Sequence, residues 1–148
     1  MSIADRSVTT TWEGPLASGS GTFGQGSSGA LDGQTVTWAS RTEAPAGKTS
    51  PEELAAAAHS SCYSMALSLK LGENKTPPQR LDVSATVSLE EVDGAPTITT
   101  SALTVRAQVE GLDEAAFAKI VDETSALCPV SRLFAGATIT VDAALEAA

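Results

Sequence analysis

This sequence is poor in the residues that usually carry chemistry: it has two cysteines, Cys62 and Cys128, and one histidine, His59, in 148 residues. No C-x-x-C pair is present, and no obvious fourth ligand accompanies His59, Cys62 and Cys128, which argues against a zinc site. Aromatic residues number six (Trp12, Phe23, Trp38, Tyr63, Phe117 and Phe134), and much of the apolar content is alanine, which buries little area. A monomer built this way is only modestly stabilised, so further burial between subunits is expected. Positive charge is scarce too. Nine Lys and Arg against eighteen Asp and Glu leave a formal charge of −9, which repels polyanions and argues against nucleic acid or an anionic membrane surface as partner. The charge-free run from Leu54 to Leu69 contains His59 and four serines and falls short of the ~18 apolar residues that span a bilayer. The opening Met-Ser-Ile-Ala-Asp-Arg lacks the apolar stretch of a secretory signal. One domain over residues 1–148, in the cytoplasm, is the expectation. In that reducing compartment the cysteines serve either as inert packing or as redox chemistry.

What is present divides cleanly. The first forty residues are rich in Gly, Ser and Thr, and Val8–Trp12, Gly21–Gly24 and Gln34–Ser40 read as three short strands, with Val36 and Trp38 alternating inward. Pro45–Lys48 is a loop. Ser50 then provides an N-cap, Pro51 the first helical residue and Glu53 the third position of a capping box. The helix this predicts runs to Leu71, with Gly72 as its stop. Leu54, Tyr63, Met65, Leu67, Leu69 and Leu71 lie on every side of it, as in a helix surrounded by protein. Leu81, Val83, Ala85, Val87 and Leu89 alternate in a long strand, Asp93-Gly94 makes a hairpin turn, and Thr97–Val109 returns. Gly111-Leu112-Asp113 caps a second helix with Phe117, Ile120, Val121 and Leu127 on one face. Pro129 interrupts it, and Ala137–Leu145 is a last strand. The order βββ-α-ββ-α-β defines an α+β domain.

The two thiols are the only strong nucleophiles. Cys62 lies too far into its helix for the helix dipole to ionise it, so as a nucleophile it needs a nearby cation; otherwise it is a small buried side chain. Cys128, just before Pro129, stands where it could cap a helical turn. His59, at i−3 from Cys62, shares a helix face with it, which admits a Cys–His acyl-transfer nucleophile or half of a metal site, although a packed neutral histidine is the favoured reading. Glu53 has a capping duty and points ~180° from Cys62, whereas Glu52 is ~80° away and free to hold an arginine. Arg41, after the third strand, and Arg132, at i+4 from Cys128, are the candidate cations, and the residues alone do not choose between them.

Trp12-Glu13-Gly14, Arg41, Pro51-Glu52-Glu53-Leu54, Ala57-Ala58-His59-Ser60-Ser61-Cys62, Ser64-Met65-Ala66-Leu67, Val87-Ser88-Leu89 and Cys128-Pro129-Val130-Ser131 occur in the order seen in one family. By these motifs the chain resembles the osmotically inducible protein C and organic hydroperoxide resistance (OsmC/Ohr) family over nearly its whole length. The place of Arg41 resembles the osmotically inducible branch. Ser60-Ser61 depart from the family's small residues before the cysteine. The resemblance implies an intertwined homodimer whose β-sheets wrap long central helices. It also implies a thiol peroxidase acting on organic hydroperoxides in defence against oxidative or osmotic stress. By position Cys62 resembles the peroxidatic cysteine, Cys128 the resolving cysteine, Arg41 the thiolate-stabilising cation and Glu52 the carboxylate that orients it. A dithiol, such as that of a lipoylated protein, would be the reductant, and no metal or cofactor is needed. A Cys62–His59 acyl-transfer hydrolase and a non-catalytic stress or ligand-binding protein are the alternatives.

Overall fold

The glycine-spaced strands near the N-terminus form in the computed structural model of the chain, which describes residues 1–147. The chain divides into two compact units, Met1–Leu54 and Ala55–Ala148. In the first, β1 (Thr9–Glu13), β2 (Ser20–Gly24) and β3 (Thr35–Val36) make an antiparallel sheet in that order. Gly21 leaves room on β2 for its neighbours: a methyl group there would come within 2.8 Å of Val36 Cγ2 and 3.1 Å of the Trp12 ring, and those side chains would have to shift.

The third strand is shorter than expected. Trp38 does not continue it but opens a short helix, α1 (Trp38–Thr42). The cause is local: Thr37 Oγ1 accepts from the Ser40 N–H at 3.0 Å, and Ser40 Oγ accepts from the Thr37 N–H at 2.9 Å. This reciprocal capping box overrides the two-residue alternation of Val36 and Trp38. The long helix α2 (Pro51–Glu73) begins where expected. Ser50 Oγ accepts from the Glu53 N–H at 3.1 Å, but the Glu53 carboxylate accepts from the Thr49 hydroxyl at 2.8 Å instead of closing a capping box.

At its far end α2 runs past Gly72, which takes no positive φ. The left-handed residue is Lys75 at φ 62°. Its N–H donates to the Gly72 carbonyl and that of Thr76 to the Leu71 carbonyl, each at 2.9 Å. Together these bonds make a Schellman end with lysine in the place that favours glycine.

In the second unit β4 (Arg80–Val92) and β5 (Ala95–Gln108) form the expected hairpin. Asp93 and Gly94, at φ 51° and 79°, supply the left-handed pair that a type I′ turn demands. The last strand, β6 (Thr138–Leu145), lies parallel to β5 with Leu103 opposite Val141. Asp113 caps α3 (Glu114–Leu127) by accepting from the Ala116 N–H at 2.8 Å. Pro129 opens a separate short helix, α4 (Pro129–Leu133). The order βββ-α-ββ-α-β therefore holds for the main elements, with α1 and α4 added.

The core of this unit joins Tyr63, Leu67 and Leu71 of α2 to Leu103, Val105 and Ala107 of β5 and Phe117, Ile120 and Val121 of α3. Leu127, expected on the inward face of α3, is 40% exposed. Thr124 is buried there instead, its hydroxyl donating back to the Ile120 carbonyl at 2.7 Å. Nor is α2 enclosed on all sides. One face is buried, while Met65 and Leu69 on the other are 74% and 54% exposed.

Replacing Lys75 by glycine should stabilise the protein by about 0.5–1 kcal/mol, because it removes the Cβ strain of a left-handed residue and keeps both terminal hydrogen bonds. The urea midpoint should rise with an unchanged slope, and Lys75→Ala should bring no gain.

Candidate active site

The two cysteines meet although α2 carries one and the α3–α4 junction the other. Both are free thiols, Cys62 half-buried and Cys128 fully buried. The break at Pro129 leaves Cys128 as the last residue before α4, with no side-chain capping bond of its own. The Val130 N–H, the first amide past the proline, and the Cys128 thiol are the polar neighbours that bear on the Cys62 thiol. Burial pushes the Cys62 thiol up from its ordinary range. Cys128 adds to that rise, and the Val130 N–H opposes it. Left to these neighbours alone, Cys62 is a poor thiolate.

Beside it is an open cavity of about 380 Å³ lined by Cys62, Met65, Ala66, Leu69, Leu127 and Pro129. Apart from the thiol its walls are apolar. Such a surface suits an alkyl chain whose reactive end reaches the sulfur.

His59 shares α2 with Cys62 but does not pair with it. The imidazole is fully buried, with Nδ1 2.6 Å from Ser101 Oγ and Nε2 2.8 Å from Ser131 Oγ. Phe134 packs edge-on against the ring at 5.2 Å between centroids. Both ring nitrogens are thus engaged by hydroxyls, which removes the base that a Cys62–His59 acyl-transfer site would need. This is the packed, neutral histidine, and burial lowers its affinity for a proton.

In the first unit, Arg41 at the end of α1 and Glu52 in the first turn of α2 form a fork. Arg41 Nε donates to both Glu52 carboxylate oxygens, at 3.0 and 3.2 Å, and Nη2 donates to Oε1 at 2.7 Å. The carboxylate grips one edge of the guanidinium, and Nη1 has no hydrogen-bond partner among the described residues. The pair is partly buried, with the Arg41 carbon 6.0 Å from the centre of the Trp38 ring. The helix that displaced the expected strand at Trp38 is what carries Arg41. Arg132, the rival cation, is exposed and pairs with no carboxylate among the described residues. Among those residues no cluster of three or more His, Cys, Asp or Glu is placed to hold a metal ion, and no helix is long and apolar enough to cross a membrane.

Sequence reasoning did not single out Ser101 or the role of Ser131. Ser101 left a signal: it falls on the face of β5 that Leu103, Val105 and Ala107 turn inward, and a hydroxyl at a core position needs a partner. Ser131 gave no signal beyond its place after Cys128-Pro129-Val130.

Comparison with known proteins agrees with this architecture. The model of the OsmC-like protein family matches residues 44–143. Over 135 residues the chain is 43% identical to peroxiredoxin OsmC of Escherichia coli (strain K12), covering 91% of this chain and 92% of that protein. The same figures hold for peroxiredoxin OsmC of Shigella flexneri. The crystal structure of the organic hydroperoxide resistance protein OhrB of Bacillus subtilis matches at a TM-score of 0.74 and 25% identity, over 98% of this chain and all of that one. An organic hydroperoxide resistance protein from Elizabethkingia anophelis shares the fold at a TM-score of 0.74 and 20% identity, over 99% of each chain. The chain belongs to the OsmC-like family.

The buried histidine makes stability depend on pH. Its folded-state pKa lies below the unfolded value, so the unfolded chain takes up the proton first. Stability should therefore be complete above about pH 6.5 and decline as the pH falls from there towards the folded pKa. Urea midpoints at pH 7.5 and 5.5 should differ in the wild type and differ much less in His59→Gln.

Proposed function

We propose that this chain is a thiol peroxidase that reduces organic hydroperoxides to alcohols, with Cys62 as the attacking and Cys128 as the resolving thiol. The observation that carries the reading is that the chain's two free cysteines are neighbours, half-buried Cys62 lining an apolar cavity and Cys128 fully buried. Membership of the OsmC-like family supports it, as do the names of its relatives, one a peroxiredoxin and another an organic hydroperoxide resistance protein. We take residues 1–148 as one functional domain.

In the first step the Cys62 thiolate attacks the distal peroxide oxygen. The O–O bond breaks, the alkoxide leaves as alcohol after taking a proton, and Cys62 becomes a sulfenic acid. Cys128 then attacks that sulfur, expelling water and forming a disulfide. An external dithiol, such as a lipoylated protein, reduces the disulfide by exchange.

Because burial disfavours the Cys62 thiolate, a cation must offset it, and Arg41 is the proposed source. Glu52 holds the guanidinium by one edge, which leaves the other edge available for an anion. A homodimer completes the reading. Ala57, Ala58, Met65 and Leu69 form an uncharged, exposed side of α2, and a second copy would cover it.

With cumene hydroperoxide and a dithiol, Cys62→Ser should abolish turnover. Cys128→Ser should complete one turnover and then accumulate overoxidised Cys62. Equal residual activity in the two variants would refute the division of roles. Arg41→Ala should slow peroxide attack by about tenfold or more at pH 7 by withdrawing thiolate, and Arg41→Lys should restore little of it. Alkylation of Cys62 as a function of pH would report the shift directly. Sedimentation equilibrium at micromolar concentration should give twice the 15.0 kDa chain mass, and a bulky residue at Ala57 or Ala58 should disturb assembly and activity together.

A further inference from the structure

The buried polar contacts around the cysteines follow a pattern. His59, one turn before Cys62, bonds through Nε2 to Ser131 at 2.8 Å and through Nδ1 to Ser101 at 2.6 Å. Tyr63, directly after Cys62, donates its hydroxyl to the Val121 carbonyl at 3.1 Å and lies 3.0 Å from Ser125 Oγ. Ser125 and Ser131 stand three residues before and three after Cys128. The side chains that bracket one thiol on α2 therefore hold the serines that bracket the other.

This arrangement answers a mechanical problem. Cys128 sits between two helices, at φ −56° and ψ 117°, so no continuous helix fixes its direction. Apolar contacts would hold α4 in the core while letting it slide, whereas a hydrogen bond specifies distance and angle. His59, Ser101 and Ser131 are 0%, 0% and 7% exposed. Burying three polar side chains is costly unless all are bonded, and an apolar trio of similar shape would serve stability as well. Direction is what the polar set adds.

We infer that His59 is a positioning residue for the disulfide-forming step, holding the Cys128–Ser131 turn through Ser131 so that Cys128 faces Cys62 before any oxidant arrives. Tyr63 holds the last turns of α3, which lead into Cys128, through Val121 and Ser125. The inference rests on the reading of Cys62 and Cys128 as the redox pair. In that step the Cys128 sulfur attacks the sulfenic sulfur of Cys62. The S–S bond forms, the S–O bond breaks, and hydroxide leaves as water with the proton given up by Cys128. His59 touches none of these atoms. Its removal should therefore slow resolution far more than peroxide attack, in which the Cys128 sulfur takes no part.

The test mixes the full-length protein with one equivalent of cumene hydroperoxide and follows the two steps separately. Dimedone trapping measures sulfenic acid at Cys62, and mass spectrometry measures the Cys62–Cys128 bond. His59→Gln and Ser131→Ala should each slow sulfenic acid conversion about tenfold, the factor that loss of one buried hydrogen bond commands. Sulfenic acid formation should stay within about twofold, and sulfinic Cys62 should accumulate at lower peroxide than in the wild type. Ser131→Thr, which keeps a hydroxyl, should recover most of the resolution rate. Tyr63→Phe should have a smaller effect, because Ser125 keeps its own 3.0 Å bond to the Val121 carbonyl. If His59→Gln fails to fold, Ser131→Ala decides. Resolution at the wild-type rate in folded Ser131→Ala would overturn the inference, and so would equal slowing of both steps. A wild type that forms no Cys62–Cys128 bond would instead refute the redox pairing itself, before any variant is compared.

Discussion

Everything in the C-terminal unit depends on how α2 divides its surface. The helix carries no charge from Leu54 to Leu69, yet its own chain buries only the side bearing His59, Tyr63, Ala66, Leu67 and Leu71. That packing against β5 and α3 anchors the core. Cys62 lies at the boundary between the covered and uncovered sides, which is why it is half-buried. A thiol deeper in the core would lie away from the cavity, and one on the open side would lie away from Cys128. Met65 and Leu69, left uncovered, also wall the cavity, so the surface proposed to meet a second copy overlaps the one proposed to receive an alkyl group.

The fork between Arg41 and Glu52 shows how a strongly acidic chain can keep one arginine directed. Most other carboxylates are solvated, but Glu52 is largely enclosed and holds the guanidinium by its Nε–Nη2 edge. A lysine ammonium, a point charge without an edge, could not be gripped on one side and presented on the other. The proposed role of Arg41 needs this planarity.

How much could be read beforehand differs from element to element, for physical reasons. The start of α2 was legible because Ser50-Pro51 is a local signal, and the β4–β5 hairpin because alternation and Asp93-Gly94 agree. Trp38 was misread because two local codes overlap there: alternation argues for strand, and the Thr37–Ser40 capping box, which prevails, for helix. The end of α2 was misplaced because Lys75, not Gly72, takes the left-handed conformation. The pairing of Arg41 with Glu52 followed from family resemblance and not from the residues, which left Arg132 equally open. The meeting of Cys62 and Cys128, and the serines that answer His59, are tertiary events. They depend on how α3 and α4 dock against α2, which no window of sequence encodes.

The reduced thiols are neighbours while lying far apart along the chain, and this has a thermodynamic side. A bond between them would close a loop of about 67 residues, and in the chain-entropy picture such a closure restricts the unfolded ensemble by roughly 4 kcal/mol. Under the proposed cycle the protein would then alternate, once per turnover, between a looser reduced form and a cross-linked form that resists unfolding. Oxidative conditions, which threaten other proteins, would be those in which this one is hardest to denature.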